Sequence, residues 1–145
     1  MFGLFKKKSA PDTSGAKANE ILSRSAEMLR MQLVLCKTES QEYEKFINSN
    51  AFSGYACGFF DATLQYAGLR PSEDPQVFAL ISIGFFHLFN KNQEEAILHS
   101  EKFLTEQENP EFHNSRVIGG SEYFDFMDGK IKMPIGLSKI FHQSN

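Results

Sequence analysis

Residues 74–89 have the sequence DPQVFALISIGFFHLF, and this stretch decides the predicted fold class. Asp74 and Pro75 are a typical helix start, because aspartate can accept from the free amides of a first turn and proline is tolerated there. The residues that follow are apolar on nearly every helical face. We therefore predict a helix over 75–89 that lies at the centre of a helical bundle.

Helix signals also precede this stretch. A helix is predicted over 16–37, because small or apolar residues recur there at helical spacing. These residues are Ile21, Leu22, Ser25, Leu29, Leu33 and Cys36. Thr38 and Gln41 form a capping-box pattern that opens a short helix ending near Asn48. A further helix is predicted over 51–67, because Gly68 is suited to the left-handed turn that ends a helix.

Further helix signals follow residue 89. Asn92 with Glu95, and Asn109 with Pro110, are predicted to open two helices. The inner stripe of the first is predicted to be Ala96, Ile97, Ser100, Phe103 and Leu104. Gly119-Gly120 is expected to break the chain. Residues 123–133 fit either a helix closed by Asp128-Gly129, which we prefer, or a small β-hairpin around that Asp-Gly turn. A last short helix is predicted over 134–142.

These signals predict an all-α fold, a compact single-domain bundle of roughly six to eight helices. The chain has 145 residues, of which 41% are hydrophobic and 15 are Phe, enough for one core without disulfide or metal support. Residues 16–145 are assigned to this domain. Residues 1–15 are expected to be a flexible tail, because a Pro/Gly/Ser-containing segment follows three lysines there.

Charge and composition limit the classes of partner and compartment. The formal net charge of −3 argues against non-specific nucleic-acid binding, which requires a basic surface. Cys36 and Cys57 both lie in apolar stretches and are predicted to be buried free thiols. The longest apolar stretch, residues 77–89, is too short to span a bilayer, and no secretory signal is recognisable. A cytoplasmic location, of the kind found in bacteria, is expected.

The N-terminal residues allow weak contact with an anionic membrane surface. Phe2, Leu4 and Phe5 could insert, and Lys6, Lys7 and Lys8 could contact acidic lipid. A solvated tail is the simpler interpretation, because chain ends are commonly disordered.

Two stretches resemble known helical families. Leu80, Gly84, Ala96 and Phe103 are spaced as in one helix pair of a tetratricopeptide repeat, although only one unit is covered. Ordinary antiparallel packing of two helices explains the same pattern, with small residues at Gly84 and Ala96 at the contact. The stretch His99-Ser-Glu-Lys102 resembles the histidine phosphotransfer domain, which implies an exposed histidine that carries a phosphoryl group.

No catalytic or metal-binding set is recognisable in the sequence. Glu95 and His99 share a helix face, but they lack the spacing and the second pair of a bundle di-metal site. We predict no metal and no cofactor.

Asp61 is the most unusual carboxylate of the chain. It is the only charged residue between Lys45 and Arg70, and Gly54, Gly58 and Gln65 are near it on one helical face. A buried aspartate is costly unless it is paired, and an unusual carboxylate can mark a site. The simpler interpretation is that this face points to water or that Asp61 caps a neighbouring helix.

The leading functional prediction is a non-enzymatic protein-interaction module, such as a small adaptor, a chaperone-like protein or an immunity-type protein. The alternative is a small-ligand-binding or regulatory domain that uses Asp61, Gln65 and His87. A cleft lined by Asp61 and His87 would favour the alternative, and a broad exposed aromatic patch would favour the first. An enzyme is the third possibility.

Overall fold

The computed structural model describes residues 3–36 and 40–143, with side chains from residue 15 onward. Over these ranges the chain forms seven helices and no strand, which confirms the all-α prediction. The helices are α1 (Gly3–Val34), α2 (Gln41–Ile47), α3 (Asn50–Tyr66), α4 (Asp74–Leu88), α5 (Gln93–Thr105), α6 (Pro110–Met127) and α7 (Gly136–Gln143).

Side-chain caps begin four of these helices. Ser49 caps α3, and the caps predicted at Asn92 and Asn109 are confirmed, each accepting from the amide three residues on. Ser40, not the predicted Thr38 and Gln41 pair, caps α2, and Thr38 lies outside the described residues.

The start of α4 is shifted by one residue from the prediction. Glu73 is its N-cap and makes no side-chain cap hydrogen bond, so Asp74 is already inside the first turn.

The central helix is α3, and the prediction that residues 75–89 occupy the centre was wrong. All fourteen residues from Ala51 to Leu64 are buried, and α3 packs against every other helix of the bundle. In α4 only Val77, Ile81, Gly84, Phe85 and Leu88 are buried. Apolar composition alone could not place α4, because its remaining phenylalanines are only half covered.

Glycines let α3 and α6 touch backbone to backbone. A Cβ at Gly54 would overlap the Phe112 carbonyl, and one at Gly119 would overlap the Tyr55 carbonyl. The predicted break at Gly119-Gly120 was therefore wrong, since these glycines lie inside α6 and permit its close approach to α3.

The chain after α6 forms no hairpin, and the preferred helix prediction is confirmed. Helix α6 ends at Met127, Asp128 is its C-cap, and Gly129 has the positive φ (76°) of a left-handed turn. The amides that begin α7 are held by side chains. Gly136 donates to Glu122 Oε1 (2.8 Å), and Leu137 donates to Gln32 Oε1 (3.0 Å).

Helix α1 begins at Gly3 rather than near residue 16. Pro11 lies inside these bounds, where its ring nitrogen cannot donate a backbone hydrogen bond to the preceding turn. Of the face predicted from periodicity, Leu22, Ser25, Leu29, Leu33 and Cys36 are buried. Among the residues with described positions, no helix is both long and apolar enough to cross a membrane.

Candidate functional site

Asp61 is buried in the middle of α3, with 4% of its surface exposed, and two arginines pair with it. Arg70, in the loop after α3, donates from Nε to Oδ1 (2.5 Å) and from Nη2 to Oδ2 (3.5 Å). Arg116 of α6 donates from Nη2 to Oδ2 (3.0 Å). Gln65, one turn further along α3, donates to Oδ1 (3.3 Å). The water-facing interpretation of Asp61 was therefore wrong, because the carboxylate is buried and paired.

The backbone and a ring fix the position of Arg116. Its guanidinium carbon lies 4.9 Å from the centre of the Phe103 ring, a cation–π contact. The close contact of Gly58 with the Arg116 backbone sets how near α6 comes to α3. The arginine is thus held against Asp61 from both sides.

A cleft of about 270 Å³ lies between α3 and α6 beside this cluster. Its α3 wall includes Asp61 and Gln65, and its α6 wall includes His113 and Arg116. The remaining lining residues are Gly58, Ala62, Val117, Gly120, Ser121 and Phe124. The lining therefore combines charged and polar side chains with apolar ones.

His87 does not join this cleft. Its Nε2 is 2.9 Å from Asn19 Oδ1 of α1, so it links α4 to α1. Burial lowers the pKa of His87, and the nearby charges of Arg30 and Lys91 lower it further. The structure thus brings Asp61 and Gln65 together, but it places His113, rather than His87, beside them.

His99 is buried, with 1% of its surface exposed, which contradicts the exposed histidine implied by the phosphotransfer resemblance. Its ring stacks on Phe89 (4.7 Å between centroids) and on Phe85 (5.7 Å), and its Nδ1 lies 3.1 Å from Ser53 Oγ. Its Nε2 has no hydrogen-bond partner among the described residues and is 3.5 Å from Glu95 Oε2. Burial, with a smaller effect from Lys102, lowers the pKa of His99 to about 4. The side chain is therefore a neutral core residue.

The predicted inner stripe of α5 was wrong at two positions. Ile97 and Leu104 are exposed, and His99 takes the inner position instead. Phe52, Phe85 and Phe89 surround the His99 ring and supply the aromatic contacts that favour this arrangement. In the part of the chain that is described, no group of three His, Cys, Asp or Glu residues could hold a metal ion.

The structure places Gly84, one of the two small residues predicted at the contact between α4 and α5, against α3 instead. Helices α4 and α5 contact each other, with Ser82 donating to Ser100 (2.8 Å). Gly84 faces the Phe60 ring of α3, where a Cβ would lie 2.7 Å from the ring. The small residue at 84 therefore serves the contact with the central helix.

Both cysteines are free and buried, as predicted. Burial raises the pKa of the Cys36 thiol to about 11 and also raises that of Cys57. Both thiols are therefore protonated at neutral pH and poorly nucleophilic.

A second candidate surface centres on Met31 of α1, whose side chain is 52% exposed. A cleft of about 480 Å³ on one side of Met31 is lined by Glu27, Arg30, Met31, Leu33, Val34, Tyr43, Leu88, Phe89 and Asn90. A smaller cleft of about 160 Å³ on its other side is lined by Met28, Met31, Gln32, Phe126, Lys132, Met133 and Pro134. We call these two clefts together the Met31 surface.

The residues expected to contact a membrane surface belong to the first eight positions of the chain. Phe2 lies outside the described residues, and so do the side chains of Leu4, Phe5, Lys6, Lys7 and Lys8.

The chain matches no protein-family model, no curated protein and no solved structure. Functional inference therefore depends on the chain's own side chains.

Sequence reasoning identified Asp61 and Gln65 but missed Arg70, Arg116 and His113. Arg70 lies nine residues after Asp61, and Arg116 lies fifty-five residues after it, so no local motif joins the two arginines to the aspartate. The one available signal was that a buried aspartate must have a cationic partner. The Met31 surface was also missed. The apolar spacing in this helix was interpreted as a single buried face, and Met31 and Val34 were not considered as a second, exposed one.

Proposed function

We propose that the protein is a non-enzymatic interaction module that binds an amphipathic helix of a partner protein on the Met31 surface. The observation that carries this proposal is the position of Met31 between two apolar clefts. Single exposed apolar residues are normal on a protein surface, but adjoining apolar clefts are typical of interaction sites.

Side-chain chemistry supports a helical, apolar partner. Met28, Met31 and Met133 line the two clefts, and methionine is flexible enough to adapt to different apolar surfaces. Val34, at the end of α1, is 76% exposed and lies three residues from Met31, so it extends the same face. An amphipathic helix in a groove places apolar side chains at comparable spacing.

The charges at the edge of the larger cleft also favour an apolar contact. Arg30 and Glu27 are paired there, with Nη2 and Oε2 2.6 Å apart. This pair leaves little net charge to attract a strongly acidic or basic segment. The partner's contacting face is therefore proposed to be uncharged, with its polar residues on the opposite face.

Adaptor, chaperone-like and immunity-type proteins are the classes that fit such a module. We also propose a reducing compartment, the cytoplasm, for this module. The two buried free thiols support that location, because paired cysteines are commoner in oxidising compartments.

The experiment is site-specific photo-crosslinking from position 31 in cells, followed by identification of the partner and titration of its helix as a synthetic peptide. Met31→Glu should abolish crosslinking from position 34 and weaken peptide binding at least about tenfold, because it puts a charge into an apolar contact. Leu98→Glu is the matched control, since Leu98 on α5 is 53% exposed and lines none of the three clefts described.

Leu98→Glu should leave crosslinking and peptide binding unchanged. Equal losses in the two variants would contradict the proposal, because they would show a general effect of added charge. A partner that contacts the α5 face and not position 31 or 34 would also contradict it.

A further inference from the structure

We propose that the cleft between α3 and α6 binds a small carboxylate with an apolar body. This site is separate from the Met31 surface, and the two proposals share no lining residue. Either can therefore fail without the other.

The net charge of the cluster beside the cleft favours an anion. Two guanidinium groups, those of Arg70 and Arg116, pair with the single carboxylate of Asp61, which leaves one positive charge uncompensated within the cluster. Both arginine side chains remain partly exposed, at 29% and 27%, and Arg116 lines the cleft itself, so a ligand there can approach its guanidinium. A bound anion would neutralise the positive charge that Asp61 leaves unpaired.

Arg116 retains the hydrogen-bond donors that such a ligand needs. An arginine carries five N–H donors, and Arg116 uses one of them on Asp61 among the described residues. A guanidinium with free donors matches the two oxygens of a carboxylate. The Phe103 ring and Asp61 hold the guanidinium in place, so binding need not order a mobile side chain.

The rest of the lining defines the class of carboxylate. Val117 and Phe124 offer apolar contact to a carbon skeleton. Ser121 and His113 make no side-chain hydrogen bond within the described ranges and are available to a second polar group. A volume of about 270 Å³ lies near the lower end of the range for ligand sites, which fits a compound the size of a short aliphatic or aromatic carboxylate.

The experiment titrates the purified protein with sodium benzoate, sodium butyrate and sodium phosphate at constant ionic strength, with sodium chloride as reference. Binding is followed by calorimetry and by the NMR signals of the arginine Nε–H groups. Benzoate and butyrate are expected to shift the Arg116 signal in a saturable way. Phosphate is expected to give no comparable saturation, because it offers nothing to Val117 and Phe124.

Two variants and a control locate the site. Arg116→Gln should weaken benzoate binding at least about tenfold, since it removes a charge-assisted hydrogen bond. Ser121→Leu, at an exposed position, should fill the cleft and weaken binding without removing a charge. Arg24→Gln, which removes an exposed arginine from α1, should bind benzoate as the parent protein does.

Each outcome decides the proposal. Loss of binding in both cleft variants, with retention in Arg24→Gln, supports it. If Arg116→Gln proves too unstable to measure, Ser121→Leu still tests the site, because Asp61 keeps both partners. No saturable response to either carboxylate, binding that persists in Ser121→Leu, or binding of phosphate alone would each overturn it.

Discussion

The backbone of Gly58 on α3 lies directly against the carbonyl group of Arg116 on α6, so closely that a side chain at 58 would overlap that oxygen. The same contact brings the Arg116 side chain to Asp61, three residues after Gly58. One glycine thus sets both the tightest helix contact and the geometry of the charged cluster.

Gly58→Ala is expected to lower the free energy of unfolding by at least about 2 kcal/mol in a urea titration. The added methyl group must push α6 away from α3, and this cost exceeds the roughly 1 kcal/mol that alanine gains over glycine inside a helix.

Gly120→Ala is the matched control for Gly58→Ala. A Cβ at 120 would lie 3.4 Å from its nearest neighbour, the Gly58 oxygen, which is close to an ordinary contact. We expect its stability to stay within about 1 kcal/mol of the parent protein. Similar urea midpoints for the two variants would show that the α3–α6 contact is looser than described.

Asp61→Asn is expected to cost about 2 kcal/mol of stability, measured by thermal and urea denaturation. The substitution keeps the shape of the side chain but leaves two guanidinium groups without their anion. Their partial exposure to water moderates this cost below that of a fully buried pair.

A double-mutant cycle tests whether that cost comes from the pairing. Arg116→Gln in the Asp61→Asn background should cost less than Arg116→Gln in the parent, because the interaction is already gone. Strict additivity of the two changes would mean that Asp61 and Arg116 are neighbours without energetic coupling.

Most of the fold could be predicted from local signals, and its long-range contacts could not. Asn92, Asn109 and Gly68 act through hydrogen bonds or backbone angles within a few residues, so the sequence alone located these helix ends. The centre of the bundle could not be found this way. It depends on Gly54 and Gly58 meeting the backbone of a helix more than fifty residues away.

In the candidate site, too, the local contacts could be predicted from sequence and the long-range contacts could not. Asp61 and Gln65 are one helical turn apart and could be grouped from sequence, whereas Arg116 reaches them only through tertiary packing. The resemblance to a histidine phosphotransfer domain implied an exposed His99, and only the packing of Phe85 and Phe89 around its ring shows otherwise.

His99 is expected to make stability depend on pH between about 6.5 and 4. An unfolded histidine has a pKa near 6.5, and burial holds that of folded His99 at about 4. In this window the unfolded chain binds a proton that the folded chain does not. The contribution of His99 to the free energy of unfolding is therefore fully present above about pH 6.5. It falls by about 3 kcal/mol as the pH drops towards 4.

Urea titrations across that pH range compare the parent with His99→Phe, which keeps an aromatic ring for the stack but cannot titrate. The variant should lose this component of the pH dependence. His142→Phe is the control for the loss of a histidine, because His142 is exposed on α7 and lies outside the ring stack around His99. A profile for His99→Phe that parallels the parent would assign the dependence to other groups.

Glu122 is expected to hold α7 against the bundle through one carboxylate oxygen. Oε1 accepts from the Tyr55 hydroxyl and from the Gly136 amide, and Tyr55 also accepts from Gln32 Nε2 (3.0 Å). Glu122→Ala leaves the buried Tyr55 hydroxyl and a first-turn amide of α7 without their acceptor, which should cost about 2–3 kcal/mol. Glu122→Gln keeps an oxygen acceptor and should recover more than half of that loss.

Hydrogen exchange at Gly136 and Leu137 provides the local measurement, and it should speed up more in Glu122→Ala than in Glu122→Gln. Because a detached α7 would expose Phe141, which packs on Phe46 with centroids 5.3 Å apart, the whole bundle should also melt earlier in Glu122→Ala. Unchanged exchange at Gly136 in Glu122→Ala would show that core packing of α7, rather than this carboxylate, fixes the helix in place.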